Sequence, residues 1–393
     1  MTLRTKHFLT ALISIIISSF YSQVKPGFES NEAVDLIRIC NSQTFKDLYG
    51  SDDQIIPDKT DLIYASTPNV MDNMFQVYKN GKTGIIHFRG STSHPNSWIE
   101  NVYSAMIPAK GKMTIYNEER EYVFAEEDSA GVHSGFVLGV TMMIEDVISQ
   151  IDRLNSKGVY DILITGHSQG GALAIMTHAY LENQKGKKIE DRNTFKMYAF
   201  ANPMVGNTEF VNEYNKRFVE NDMAFRIINP KDIVPSMPIT YHEGSLLSAN
   251  DLMSWVTGKK EFNYKELGIE FIMRSFKGGI TSYINKSNQL IDKVISKQAG
   301  EIIFPEYLND IQYVSIGNLH ELEPFEYPEI VKDSVDINPD VFGNYEKLEN
   351  GKYKRQEPSF YQHKPYNYYV AVLKRYSEKN YNRLRRKFLD ENL

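Results

Sequence analysis

A serine framed by glycines, Gly166-His167-Ser168-Gln169-Gly170, carries the strongest chemical signal in the chain. A hydroxyl alone is a weak nucleophile; it attacks a carbonyl carbon when a base takes its proton and a third group orients that base. The stretch before it, "YDILIT", is apolar enough for a buried strand, and "QGGALAIMTHAYLEN" after it reads as a helix. A turn that tight leaves no room for bulk two residues before or after the serine, and both positions are glycine. The first helical N–H groups point toward the hydroxyl and favour the negative charge that develops in acyl transfer. A carboxylate is offered by Asp232 in "MAFRIINPKDIVPSMP", a few residues beyond another apolar run. No HExxH or paired-cysteine pattern offers a metal site. Asp333, Asp336 and Asp340 lack the spacing of a calcium loop and read as a solvated segment. A serine, a histidine and an aspartate require no cofactor.

The elements that hold these residues alternate. "MFQVYKNGKTGIIHF" is two period-2 runs around Asn80 and Gly81, a hairpin signal, and "REYVFAEE" reads as a further strand. "SGFVLGVTMMIEDVISQIDRL" is a long amphipathic helix ending near Gly158. The strands "YDILIT", "TFKMYAFA" and "MAFRIIN" follow, separated by the helix after Ser168 and by "TEFVNEYNKRFV". Strands alternating with helices give a mostly parallel central sheet flanked by helices. A serine on a strand-to-helix turn in such a sheet is the nucleophile elbow of an α/β-hydrolase, where the chain order is serine, acid, histidine. Asp232 then lies at the same sheet edge as the elbow. His87 and His178 lie upstream and fail the order, which leaves His242, His320 and His363 as candidate bases.

Four blocks resemble the class 3 lipases, the group that includes the fungal triacylglycerol lipases. "IIHFRGSTSHPNSWIEN" looks like the family's oxyanion loop, "VHSGF" its V-H-x-G-F block, and "ILITGHSQGGALA" its elbow; "FANPMVGNTEF" with "FRIINPKDIVPSMP" matches its P-x-V-G-N and D-x-V-P segments. The resemblance implies that Ser168 is the nucleophile and Asp232 the acid. It also implies that the main-chain N–H groups of Ser91 and Gln169 form the oxyanion hole, with the Ser91 hydroxyl as a further donor. Gln169 replaces the family's usual leucine, and its side chain is expected to make the acyl pocket more polar. In the family the base lies in a loop before a last helix, which favours His363 ahead of "YVAVLKRYSEKNYNRLRRKF"; "YVSIGNLHEL" looks like the family's preceding strand, with Ser315 in place of its noncatalytic histidine. Arg89, His133 and His167 read as structural.

Two segments carry open alternatives. About seventy residues follow Asp232 where the family has a short link, and a helical insertion over about 243–308 is either a packed excrescence or a cap over the active site. In "HPNSWIENVYSAM", Pro95 is placed to open a helix with Trp98, Ile99, Val102, Tyr103 and Met106 on one apolar face, the position of a lid in related lipases. An ordinary buried helix gives the same periodicity.

Composition bounds the rest. The 393 residues, 41% hydrophobic and 24% charged, suffice for a core, and a net charge of -6 argues against a general nucleic-acid binder. Arg4, Lys6 and His7 precede "FLTALISIIISSF", which reads as a signal peptide over residues 1–22, cut near Ser22, with an uncleaved anchor as the alternative. The hydrolase domain would then span 23–393, secreted and without a stable membrane anchor. Cys40, the only cysteine, reads as a buried thiol. Arg383, Arg385, Arg386 and Lys387 are expected on the solvent side of a helix whose apolar side holds Val370, Leu373, Leu384 and Phe388. The expected activity is hydrolysis of carboxylic esters of lipids at a lipid–water interface. Phospholipase A1, monoacylglycerol lipase, soluble-ester esterase and a non-enzymatic lipid-binding surface protein are the alternatives.

Overall fold

The structure is a computed structural model that describes residues 24–49, 55–92, 95–238, 300–310, 312–358 and 360–389. The signal-peptide segment, His242 and most of the expected insertion lie outside the described residues.

Eleven strands concern the site: β1 (Thr60–Ala65), β2 (Phe75–Asn80), β3 (Thr83–Phe88), β4 (Met106–Pro108), β5 (Lys110–Ile115), β6 (Glu118–Val123), β7 (Gly131–His133), β8 (Asp161–His167), β9 (Thr194–Phe200), β10 (Ala224–Ile228) and β11 (Leu319–Glu321). Seven form the central sheet in the order β1-β2-β3-β8-β9-β10-β11. β1, β2 and β3 pair antiparallel, and every pairing from β3 to β11 is parallel. The hairpin around Asn80 and Gly81 is therefore present, continued into a parallel sheet.

Parallel strands are covered on both faces, so their sequences read as continuous apolar runs with alternate residues pointing to opposite sides. All seven residues of β8 are buried. Its Ile162 and Ile164 enter one core with the helices Ser134–Asn155 and Gln169–Asn183, while Leu163 enters a second core with the helices Ser30–Tyr49 and Pro365–Tyr376. β9 repeats the division: Phe195, Met197 and Ala199 face the first core, Tyr198 and Phe200 the second. Ser134–Asn155 is long and apolar enough to cross a membrane, yet it is the central core helix here, its apolar stripe buried from Phe136 to Leu154. Cys40 lies in the second core, where burial pushes its thiol up to about 12.

Lys196, also on β9, is wholly buried and pairs at 2.7 Å with Glu32 of the N-terminal helix. Glu32 also accepts the Tyr198 hydroxyl at 2.6 Å. An ammonium placed there needs its partner, because a buried unpaired charge is strongly destabilising.

Two expectations are corrected. The expected long C-terminal helix is broken: it runs Pro365–Tyr376, Ser377 leaves helical geometry at φ −151 and ψ 67, and a short helix ends at Arg383. Arg385, Arg386 and Lys387 are therefore not on a helix face. The chain turns back instead, with Tyr366 donating to the Arg386 carbonyl at 2.9 Å and Leu389 buried in the second core. The expected helical insertion does not reach 308, since residues 300–308 hold no helix and are tied to β4 and β5. Ile303 bridges to Thr114, and the Leu308 amide donates to the Met106 carbonyl at 2.9 Å.

Candidate active site

Ser168 follows β8 directly and precedes Gln169–Asn183, at φ 60 and ψ −131. A positive φ is costly for a residue with a Cβ and persists only where the surroundings impose it. The glycines show how. A Cβ on Gly166 would lie 2.2 Å from the Gly170 backbone, and one on Gly170 would lie 2.1 Å from the Phe88 carbonyl oxygen. Strand, helix and neighbouring strand thus converge on the turn, and the Ser168 amide donates to Phe200 O at 2.9 Å.

The loop after β10 supplies Asp232, 6% exposed, whose Oδ1 accepts the Val234 amide at 3.0 Å. The turn before Pro365–Tyr376 supplies His363. Its Nδ1 lies 2.8 Å from Asp232 Oδ2 and its Nε2 lies 2.8 Å from Ser168 Oγ. A carboxylate only accepts, so Nδ1 carries the proton and Nε2 is free to accept from the serine hydroxyl. Tyr368, one turn into the same helix, donates to Asp232 Oδ2 at 2.7 Å. Serine, histidine and aspartate are thus joined in the arrangement that removes a hydroxyl proton during attack on a carbonyl.

The other histidines lie elsewhere. His320 is on β11, stacked at 3.7 Å on Phe28. His133 accepts the Phe136 amide as the cap of Ser134–Asn155. His167 is buried beside His363, ring centroids 4.9 Å apart, and burial holds its pKa well below the usual histidine range. Arg89 pairs with Asp72 at 3.0 Å, bracing the loop after β3.

That loop carries Ser91. A Cβ on Gly90 would meet His167 O at 2.8 Å and Ser168 Cβ at 3.5 Å, so the loop runs beside the elbow. Two expectations change here. The Ser91 hydroxyl donates to Gln169 Oε1 at 2.7 Å, so its proton is not directed at a substrate oxygen. The Gln169 side chain is 1% exposed and bonded inward, so it does not line an acyl pocket.

The helix after the loop spans Pro95–Val102 as the proline suggests, but the side chains of Trp98, Ile99 and Val102 lie outside the described residues. Tyr103 and Met106 fall beyond its end and are buried in the core, not on a lid face. What the helix turns inward is polar: Ser97 and Glu100 are buried, and Asn101 donates to Ser91 Oγ at 2.9 Å. These residues and Asn73 were not anticipated. The signal for the three helix residues was the i, i+3, i+4 spacing of Ser97, Glu100 and Asn101; Asn73 carried none.

A family model described as lipase (class 3) matches residues 85–242. That segment belongs to the class 3 lipase family. The class 3 lipase segment holds Ser91, Ser168, Gln169 and Asp232, while His363 lies far beyond it and is brought in by the fold. The chain is 26% identical over 141 residues to a secreted mono- and diacylglycerol lipase 1 of Fusarium solani, covering 34% of this chain and 39% of that one. It is 28% identical over 159 residues to a lipase of Rhizomucor miehei, covering 40% and 38%. The chain thus spans under two fifths of the length of these curated relatives. The solved structure of Rhizomucor miehei triacylglyceride lipase aligns with 53% of this chain and 74% of that one at 22% identity and a TM-score of 0.39.

Proposed function

We propose that this protein is a secreted lipase that hydrolyses carboxylic esters of acylglycerols through an acyl-enzyme. The observation that carries the reading is the pair of 2.8 Å contacts that His363 makes with Ser168 and Asp232. His363 Nε2 takes the Ser168 proton as Oγ attacks the ester carbonyl, and Asp232 holds the imidazole and balances its positive charge. The Ser91 and Gln169 main-chain N–H groups receive the oxyanion. The imidazolium returns its proton to the leaving alcohol; water, deprotonated by His363, then releases the fatty acid and restores the serine. A lipid-binding protein without turnover has no use for a serine held at positive φ against a histidine.

Ser168→Ala should abolish ester hydrolysis and fluorophosphonate labelling while circular dichroism stays that of the wild type. Near-wild-type turnover by this variant would overturn the reading. Emulsified triglycerides, phospholipids and short nitrophenyl esters separate the lipase from phospholipase A1 and soluble-ester esterase. Trp98, Ile99 and Val102 are the proposed lid. Activity should rise when ester passes its solubility limit, and Trp98→Ser should blunt that rise; a smooth curve unaffected by Trp98→Ser marks the helix as scaffold. Export is tested by mass spectrometry of protein recovered outside the cytoplasm, which should begin close to residue 23.

A further inference from the structure

Gln169 sits where the elbow meets the buried polar side of the helix Pro95–Val102. Its Oε1 accepts the Ser91 hydroxyl at 2.7 Å and lies 3.4 Å from the Ser97 hydroxyl. Its Nε2 donates to Asn73 Oδ1 at 3.4 Å, and Asn73 Nδ2 donates to Glu100 Oε2 at 2.6 Å. In this arrangement the amide accepts from two serine hydroxyls at its oxygen end and donates to an amide oxygen at its nitrogen end. Ser91 Oγ meanwhile accepts from Asn101 Nδ2 at 2.9 Å. The hydroxyl therefore has its single proton committed to Gln169 and a lone pair committed to Asn101.

We propose that the Gln169 side chain is a positioning residue that fixes the oxyanion loop by anchoring the Ser91 hydroxyl. The hydroxyl acts as a strut, and the two main-chain N–H groups alone receive the oxyanion. The leucine usual in this family at that position has no acceptor to offer, so the device belongs to this chain's own set of residues. Burial pushes the Glu100 carboxyl up to about 8. Burial thus disfavours a fixed negative charge beneath the loop, which would oppose the charge that develops above it. The chain of bonds runs unbroken from Ser91 through Gln169 and Asn73 to Glu100 Oε2, while Glu100 Oε1 is buried without a partner among the described residues, and linked buried bonds of this kind stiffen the groups they join.

The inference rests on the hydrolase reading, and its test is a double-mutant cycle on a dissolved short nitrophenyl ester. Gln169→Met keeps volume and helix propensity but removes the acceptor. It should lower kcat by about tenfold or more, a part of what the loss of an oxyanion donor costs, with KM within about twofold. Ser91→Ala should also lower kcat, and the double variant should be no slower than the slower single one, since both cut the same link. Wild-type kcat in Gln169→Met, or losses that multiply in the double variant, would overturn the proposal. Should Gln169→Met not fold, Asn101→Ala removes the other bond to Ser91 Oγ from a half-buried position. It should lower kcat at unchanged KM and add nothing to Ser91→Ala, and multiplied losses would again overturn the strut. A wild-type protein that neither takes a fluorophosphonate label nor cleaves any ester removes the hydrolase reading and this inference together. An active wild type with an additive cycle removes this inference alone.

Discussion

Tyr368 donates its hydroxyl to Asp232 Oδ2, the same oxygen that faces His363. The hydroxyl also accepts the Asn229 amide at 2.9 Å, so it links the loop of the acid to the helix that follows the base. Removing this donor leaves the aspartate oxygen that faces the imidazole less firmly held. Tyr368→Phe should lower kcat by less than about tenfold at little change in KM, whereas Asp232→Asn should lose about 10⁴-fold. A wild-type kcat in Tyr368→Phe would show that the tyrosine only packs.

His363→Ala should lower kcat by several orders of magnitude, roughly what losing a triad member does. His320→Ala, which removes a ring stacked on Phe28 from the edge strand of the sheet, should leave kcat within about twofold of the wild type while lowering stability. Steady-state kinetics on one soluble ester decides between them, and a large kcat loss in His320→Ala would refute the assignment.

Acid should destabilise the fold through its buried histidines. Burial holds His87, His133 and His178 down to about 3. Between there and the ordinary value near 6.5 the unfolded chain binds protons that the folded chain refuses. Their contribution is complete above about pH 6.5 and is lost as pH falls toward 3. Melting temperature should fall through this window, and His178→Gln should fall less steeply because one such group is gone. Parallel slopes would contradict the account.

Gly170→Ala tests the close approach at the elbow. The added Cβ would meet the Phe88 carbonyl oxygen at 2.1 Å, a backbone atom that no side-chain rotation can move. Overpacking of this kind costs about 3 kcal/mol. The variant should give little soluble protein or a much lower melting temperature, and wild-type yield and melting would show that strand and helix can separate.

The elbow was legible because its constraint is local: strand, glycine, serine, glycine and helix lie within a few residues. β8, β9 and β10 were legible as continuous apolar runs. The helix Ser30–Tyr49 went unread although Ala33, Leu36, Ile37 and Cys40 recur at helical spacing and are buried. The Gln169 network was not legible, because Asn73, Ser91, Glu100 and Gln169 come from four separate parts of the chain and only the folded sheet edge brings them together. Sequence periodicity also could not show the break at Ser377, which follows from the chain turning back to bury Leu389. His363 was reached through resemblance and not through spacing, and its contacts with Ser168 and Asp232 depend on the whole sheet being in place.

The Lys196–Glu32 pair has a consequence for the order in which the molecule assembles. Glu32 leaves the ribosome early, yet the Tyr198 hydroxyl that shares its carboxylate is 166 positions further along. Until β9 is made and paired, Glu32 has neither Lys196 nor the Tyr198 hydroxyl, and until the first helix docks, the centre of the sheet holds an ammonium without its counter-ion. Contacts of such long range form slowly. The segment made first is therefore among the last to complete its contacts.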